Sequence, residues 1–177
     1  MAAVGLLALW PGAAALAGDE VLGALPQHSR PAAQLHASGQ PSADALAALP
    51  AAGVKVVIDL RPDEETPDLD EATVVRRSGL VYENLPIAGR AGLNRANVQA
   101  FDALLRKHAA VTVLAHCSSS NRVGALLALR AAWIEGRSVA EAIGIGERAG
   151  LKGMRPDVEA LLSGQSSVDA KDPPAAH

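Results

Sequence analysis

The chain has 177 residues, the size of one ordinary domain, which argues against a multidomain machine. It is 49% hydrophobic and 20% charged, but its aromatic residues amount to two Trp, one Tyr and one Phe, so the core has to be aliphatic. A net charge of −3 is too balanced for a nucleic-acid binder, and one cysteine, Cys117, excludes an internal disulfide framework or a zinc site of several thiolates.

Residues 1–17 carry no charged side chain and pass from an apolar stretch, Val4 to Trp10, into small residues ending Ala15-Leu16-Ala17. This is the pattern of a secretory h-region and an A-x-A cleavage site, without the basic residue that usually precedes one. The expectation is a signal peptide, a periplasmic or secreted protein and a mature chain starting near Gly18; an uncleaved segment would mean a cytoplasmic one. The segment falls short of the ~20 residues that a stable membrane span requires. Residues 164–177 are polar and proline-bearing and read as a disordered tail, which leaves 18–163 as the folded domain.

Leu35 to Pro41 reads as a short edge strand, after which Ser42 caps a helix through about Ala52 that Gly53 closes. Val54 to Leu60 is β-branched and mostly apolar, as suits a strand covered on both faces. Asp68 to Arg77 has acids first and arginines last, the charge order that a helix dipole favours, and Leu80 to Ile87 returns as a strand. Asn94 to His108 carries Val98, Phe101, Leu104 and Leu105 at helical spacing, Ala109 to Ala115 is another apolar run, and Arg122 to about Leu162 is helical. This alternation predicts a single α/β domain with a mostly parallel central sheet flanked by helices.

The strand ending at His116 runs through Cys117-Ser118-Ser119-Ser120-Asn121 into a helix that starts near Arg122. In open α/β sheets ligands bind beyond the carboxyl ends of the strands, where this loop lies. Loop amides above a helix N-terminus make an anion cradle, and the same field favours a thiolate at Cys117. The Arg122 fork holds two oxygens of a tetrahedral anion, which a lysine does not do bidentately. Each part also has a plain structural explanation: a lone cysteine after an apolar strand is commonly an inert core residue, and three serines make a polar turn. Asp63, Glu64, Glu65, Asp68, Asp70 and Glu71 read as a solvated loop and helix start. His28, His36, His108 and His177 have no metal-ligand spacing, so no metal or cofactor is expected.

His116-Cys117, a short loop and Arg122 resemble the signature of the cysteine-dependent phosphatases. Val57 to Glu65, Asn84 to Ile87 and Asn121 to Ala125 resemble bacterial domains described as beta-lactamase hydrolase-like or tyrosine phosphatase-like. The resemblance covers about residues 35–162. It implies that Cys117 attacks phosphorus and forms a thiophosphoryl intermediate, that the amides of Ser118 to Arg122 hold the phosphoryl oxygens, and that His116 serves catalysis by bracing the loop and keeping Cys117 ionised; the other reading of His116 is a buried structural histidine. The implied partner is a phosphorylated small molecule or a phosphoprotein.

Two departures stand out. The loop is one residue shorter than that of the resembled phosphatases and has the size seen in rhodanese-type sulfurtransferases, where the cysteine carries a persulfide. Ser120 also stands where such domains place a glycine, and a side chain there resists a positive-φ turn. The alternatives are therefore a sulfurtransferase working through a Cys117 persulfide and a noncatalytic phosphate-binding module. No carboxylate follows the strand ending at Ile87, so the candidate general acids are Asp63, Glu64 and Glu65. Arg90 and Arg95 are candidates for a lid over the anion.

Overall fold

A computed structural model describes residues 18–169, so the expected signal peptide lies outside the described residues, as do residues 170–177 of the expected tail. The elements run β1 (Ser29–Ala32), β2 (Leu35–Ser38), α1 (Ala43–Ala48), β3 (Val54–Asp59), α2 (Glu71–Arg77), β4 (Val81–Asn84), α3 (Arg95–Lys107), β5 (Thr112–His116), α4 (Asn121–Trp133), α5 (Val139–Arg148) and α6 (Arg155–Asp169). The α/β expectation holds: the strands form one five-stranded sheet in the order β1-β2-β5-β3-β4, parallel except for β1. No helix among the described residues is long and apolar enough to cross a membrane.

Local chemistry sets most boundaries. The Ser42 side chain accepts the Ala45 amide at 3.2 Å and starts α1, which tightens into a 3-10 turn over Leu49–Ala52 before Gly53. Asp70 accepts the Thr73 amide at 3.0 Å, so α2 starts later than the acid-first pattern from Asp68 predicts. Two further readings change. Leu35–Ser38 is not an edge strand, because β1 pairs along its outer side; β1 is a four-residue Ser-Arg-Pro-Ala segment whose sequence shows no apolar alternation. Pro31 fits that edge position, where a missing amide costs no ladder bond. At the other end α6 runs on to Asp169, past the expected start of the tail.

The sheet separates two cores. A shift in register between Val54 and Val56 turns Val54 and Val57 toward the smaller core, with Leu22, Leu46, Leu49 and Val75, while Val56 and Ile58 face the larger one. The larger core takes Val98 and Phe101 from α3, Val123, Leu126 and Leu129 from α4, and Cys117 itself. β3 and β5 are thus buried on both faces, as their apolar sequences require. Their carboxyl ends lie level, with Asp59 opposite His116, and Ser38 of β2 pairs with His116 from the other side.

Candidate active site

The turn after β5 is anchored from both sides. The Cys117 amide donates to the Ser38 carbonyl at 3.3 Å, and the Gln40 amide donates to the Ser118 carbonyl at 3.3 Å. Gly39 has to be glycine for this approach, because a Cβ there would lie 3.0 Å from the Ser118 carbonyl oxygen and 2.3 Å from Gln27 Oε1. The Cys117 side chain is 1% exposed and free, at the floor of the turn and packed into the larger core.

Ser120 closes the turn at φ 62°, ψ −7°, the left-handed conformation that its side chain was expected to resist. Its hydroxyl donates to the Ala149 carbonyl at 2.8 Å, and no side chain caps α4. Asn121 also turns its side chain away, accepting the Lys152 amide at 2.8 Å and the Met154 amide at 3.3 Å. Ser120 and Asn121 therefore act as scaffold through their side chains. The Ser118 and Ser119 amides donate to no backbone carbonyl among the described residues, and the amides of the first turn of α4 have no intrahelical acceptor, so an anion at this end would meet open donors. The Ser118 and Ser119 side chains are on the solvent side of the turn.

Arg122 lies largely buried over this turn. Its Nη1 donates to the carbonyls of Leu60 at 3.3 Å and Ile87 at 3.1 Å and to Glu65 Oε1 at 2.9 Å. Its Nη2 bonds Glu65 Oε2, and donates to Ser118 Oγ at 2.9 Å. Burial pulls the Arg122 pKa down, but the Glu65 hydrogen bond and the electrostatic interactions with Cys117, Glu65 and Asp59 outweigh it and raise it, so the fork is cationic at any working pH.

The acid candidates separate. Glu65, on a 3-10 turn over Asp63–Glu65, reaches the cradle. Its hydrogen bond from Arg122 holds its carboxyl below the usual range against a smaller upward push from burial, with help from Ser118 and the nearby arginine charges. A carboxylate so held accepts hydrogen bonds and is a poor proton donor. Asp63 and Glu64 make no side-chain hydrogen bond to the cradle among the described residues; Asp63 lines an acidic cleft of about 480 Å³ beside it, with Asp59, Asp70, Glu71, Tyr82 and Asn84. The lid candidates are engaged elsewhere: Arg90 pairs with Asp157 of α6, and the Arg95 guanidinium sits 4.9 Å from the centre of the Trp133 ring.

His116 is fully buried, and its Nε2 bonds Glu71 Oε1 at 2.6 Å, so its hydrogen bond goes to α2 and not to the cradle. Its Nδ1 has no hydrogen-bond partner among the described residues. Glu71, read from the sequence as solvated, is 3% exposed. Burial pushes its carboxyl up, but bonds from His116 and Gln40 and the charge of Arg61 hold it below the usual range. Arg61 is 2% exposed and bridges Glu71 Oε2 at 3.0 Å and Asp59 Oδ1 at 3.2 Å, and Tyr82 donates to Asp59 Oδ2 at 3.1 Å. Asp59, Glu71 and His116 place ligand-type atoms within 4.8 Å of one another. Arg61 already supplies the cation that these carboxylates need, so the trio is a bracing network for the strand ends. Sequence reasoning missed Asp59, Arg61 and Glu71 as site residues; the available signal was a charged pair two residues apart at the end of an apolar strand.

A parallel sheet carrying a cysteine turn, an uncapped helix and a buried arginine fork at its carboxyl end defines a phosphatase-like α/β domain. Residues 32–134, more than half of the chain, match the family described as beta-lactamase hydrolase-like protein, phosphatase-like domain, and the chain belongs to that family. The beta-lactamase hydrolase-like protein of Xylella fastidiosa strain Temecula1 is 35% identical over 100 residues, which are 54% of this chain and 23% of that protein. The chain thus matches about a quarter of the length of that curated relative. A phosphatase candidate of the DUF442 group from Shewanella putrefaciens CN-32 superposes with a TM-score of 0.66 at 28% identity, covering 86% of this chain and 97% of that one. A phosphatase candidate from Neisseria meningitidis Z2491 gives 0.59 at 27% identity, covering 75% and 96%.

Proposed function

We propose that the chain hydrolyses phosphate monoesters through Cys117, on a phosphorylated small molecule or a phosphoprotein. The observation that carries this reading is the uncapped first turn of α4 and the Arg122 fork meeting above the Cys117 turn. In the reaction, Cys117 Sγ as a thiolate attacks phosphorus and the bond to the ester oxygen breaks, its electron pair leaving as alkoxide or phenolate. The open amides and Arg122 hold the equatorial oxygens, where charge is concentrated in the transition state. Water then attacks phosphorus, loses a proton to solvent, and releases phosphate and the thiolate.

A second reading is favoured by one observation, the four residues Ser118 to Asn121 that separate Cys117 from Arg122, a cradle of sulfurtransferase size. Here Cys117 attacks the outer sulfur of thiosulfate, sulfite leaves with the electron pair of the S–S bond, and the resulting persulfide passes its outer sulfur to an acceptor thiolate. Parallel assays with an aryl phosphate and with thiosulfate plus a thiol acceptor separate the two. Turnover of the phosphate alone supports the first reading and of thiosulfate alone the second; phosphate binding without either turnover identifies a noncatalytic anion-binding module.

A further inference from the structure

The Arg122 fork already holds an anion. Each terminal nitrogen of a guanidinium carries two N–H groups. Nη1 serves three acceptors, Leu60 O, Ile87 O and Glu65 Oε1, and Nη2 serves two, Glu65 Oε2 and Ser118 Oγ. Those four N–H groups are fully subscribed, so an incoming oxyanion has no terminal donor to take unless a present acceptor lets go. The two carbonyls belong to the strand-end backbone and are fixed. The Ser118 hydroxyl is a neutral acceptor, and Glu65 is the charged one that is free to leave: its side chain is 35% exposed, and it stands on a single 3-10 turn between Pro62 and Thr66. It also takes the Ser118 hydroxyl at 2.9 Å, so its carboxylate spans the two groups that flank the mouth of the cradle.

We infer that Glu65 is a specificity-determining residue, an internal carboxylate that occupies the terminal nitrogens of the Arg122 fork and that a substrate oxyanion must displace to bind them. The inference rests on the anion-cradle reading of the Cys117 turn. Its chemistry is an exchange of one oxyanion for another on the same donors. The released carboxylate stays near the mouth and opposes a second negative charge there, which favours compact tetrahedral anions able to fill the fork and the open amides together. A ligand offering a single carboxylate gains nothing over the group already present.

The test uses the full chain, with inorganic phosphate and thiosulfate as probes and protection of Cys117 from iodoacetamide as the readout. Glu65→Gln removes the competing charge while keeping the shape, and is expected to lower the phosphate concentration for half protection roughly tenfold, the equivalent of one charge-assisted bond that no longer has to be broken. Asp68→Asn, an equal charge change on the solvated part of the same loop, is expected to stay within about twofold of the parent. Thermal midpoints confirm that both variants are folded. If Glu65→Gln binds phosphate equally or more weakly while the parent binds it well, Glu65 holds Arg122 in place and does not compete, and the inference is overturned with the cradle intact. If neither parent nor variant is protected by phosphate or thiosulfate, the anion-cradle reading itself fails and takes the inference with it.

Discussion

Ser120 and Gly150 stand back to back behind the Cys117 turn. Ser120 is held at φ 62° and Gly150 at φ 100°, and a Cβ on Gly150 would lie 2.6 Å from the Ser120 Cβ. The left-handed serine is kept by its bond to Ala149, and the room for its side chain comes from the missing one at Gly150.

The two positions therefore respond differently. Ser120→Gly relieves a left-handed strain of ~1–3 kcal/mol and loses one hydrogen bond of ~1 kcal/mol together with some backbone entropy, for a net change within about 1 kcal/mol. Gly150→Ala combines a forbidden contact with an unfavourable φ and should cost ~2 kcal/mol or more. Urea unfolding of both variants checks this; a Gly150→Ala protein as stable as the parent would contradict the packing described.

Arg122→Lys keeps the charge but loses the fork. The expectation is a fall in kcat of roughly 100-fold or more with the fold retained, measured on whichever substrate class the paired assays identify. An unchanged kcat removes Arg122 from the transition state.

How much of this was legible in the sequence follows from the kind of signal each part leaves. The apolar runs at Val54–Asp59 and Thr112–His116 and the polar turn after them announce a buried parallel strand feeding a helix, because burial on both faces demands that composition. The candidate Cys117, Arg122 and Ser118–Asn121 share one local segment, so their proximity needed no tertiary knowledge. Glu71 was not legible: an acid in the first turn of a helix satisfies the dipole wherever it points, and only the packing of α2 against the strand ends shows that it meets His116 and Arg61. Edge strand β1 escaped because four residues with half-exposed alternation leave too little pattern. Arg90 and Arg95 were placed near the anion by sequence adjacency alone, and their partners Asp157 and Trp133 come from helices far along the chain.

Glu65 is held ionised by Arg122 in the free site, and a residue displaced from the fork as a carboxylate brings no proton to a leaving oxygen. Rates across aryl phosphates of increasing leaving-group pKa should fall steeply. A flat dependence with chemistry rate-limiting would reveal a donor and contradict the assignment of Glu65 as an acceptor.

Stability should carry a separate acid transition from the β1–β2 hairpin. His28 Nε2 and His36 Nδ1 share one hydrogen bond of 2.9 Å, with the rings stacked at 5.2 Å, so one ring has to accept. Burial, reinforced by the charges of His28 and Arg30, brings His36 from 6.5 down to about 4, and burial and Arg30 lower His28 as well. A histidine whose folded pKa is depressed contributes stability that is complete above its unfolded value and is lost as pH falls through the folded one. Thermal midpoints should therefore decline from pH 6.5 toward pH 4, and His36→Gln should flatten that decline. A parent protein with an unchanged midpoint over this range would contradict the prediction.

The most direct test of the account is the mass of the protein trapped during reaction. After rapid acid quench in the presence of an aryl phosphate, intact-mass and peptide mass spectrometry should find one phosphoryl group on Cys117, and Cys117→Ser should show none while keeping the parent's thermal midpoint. One added sulfur on Cys117 from thiosulfate, with no phosphoryl adduct, would establish the sulfur-transfer reading in its place. A Cys117 that carries neither adduct, in a folded protein that turns over either substrate, would contradict the claim that this thiol is the nucleophile.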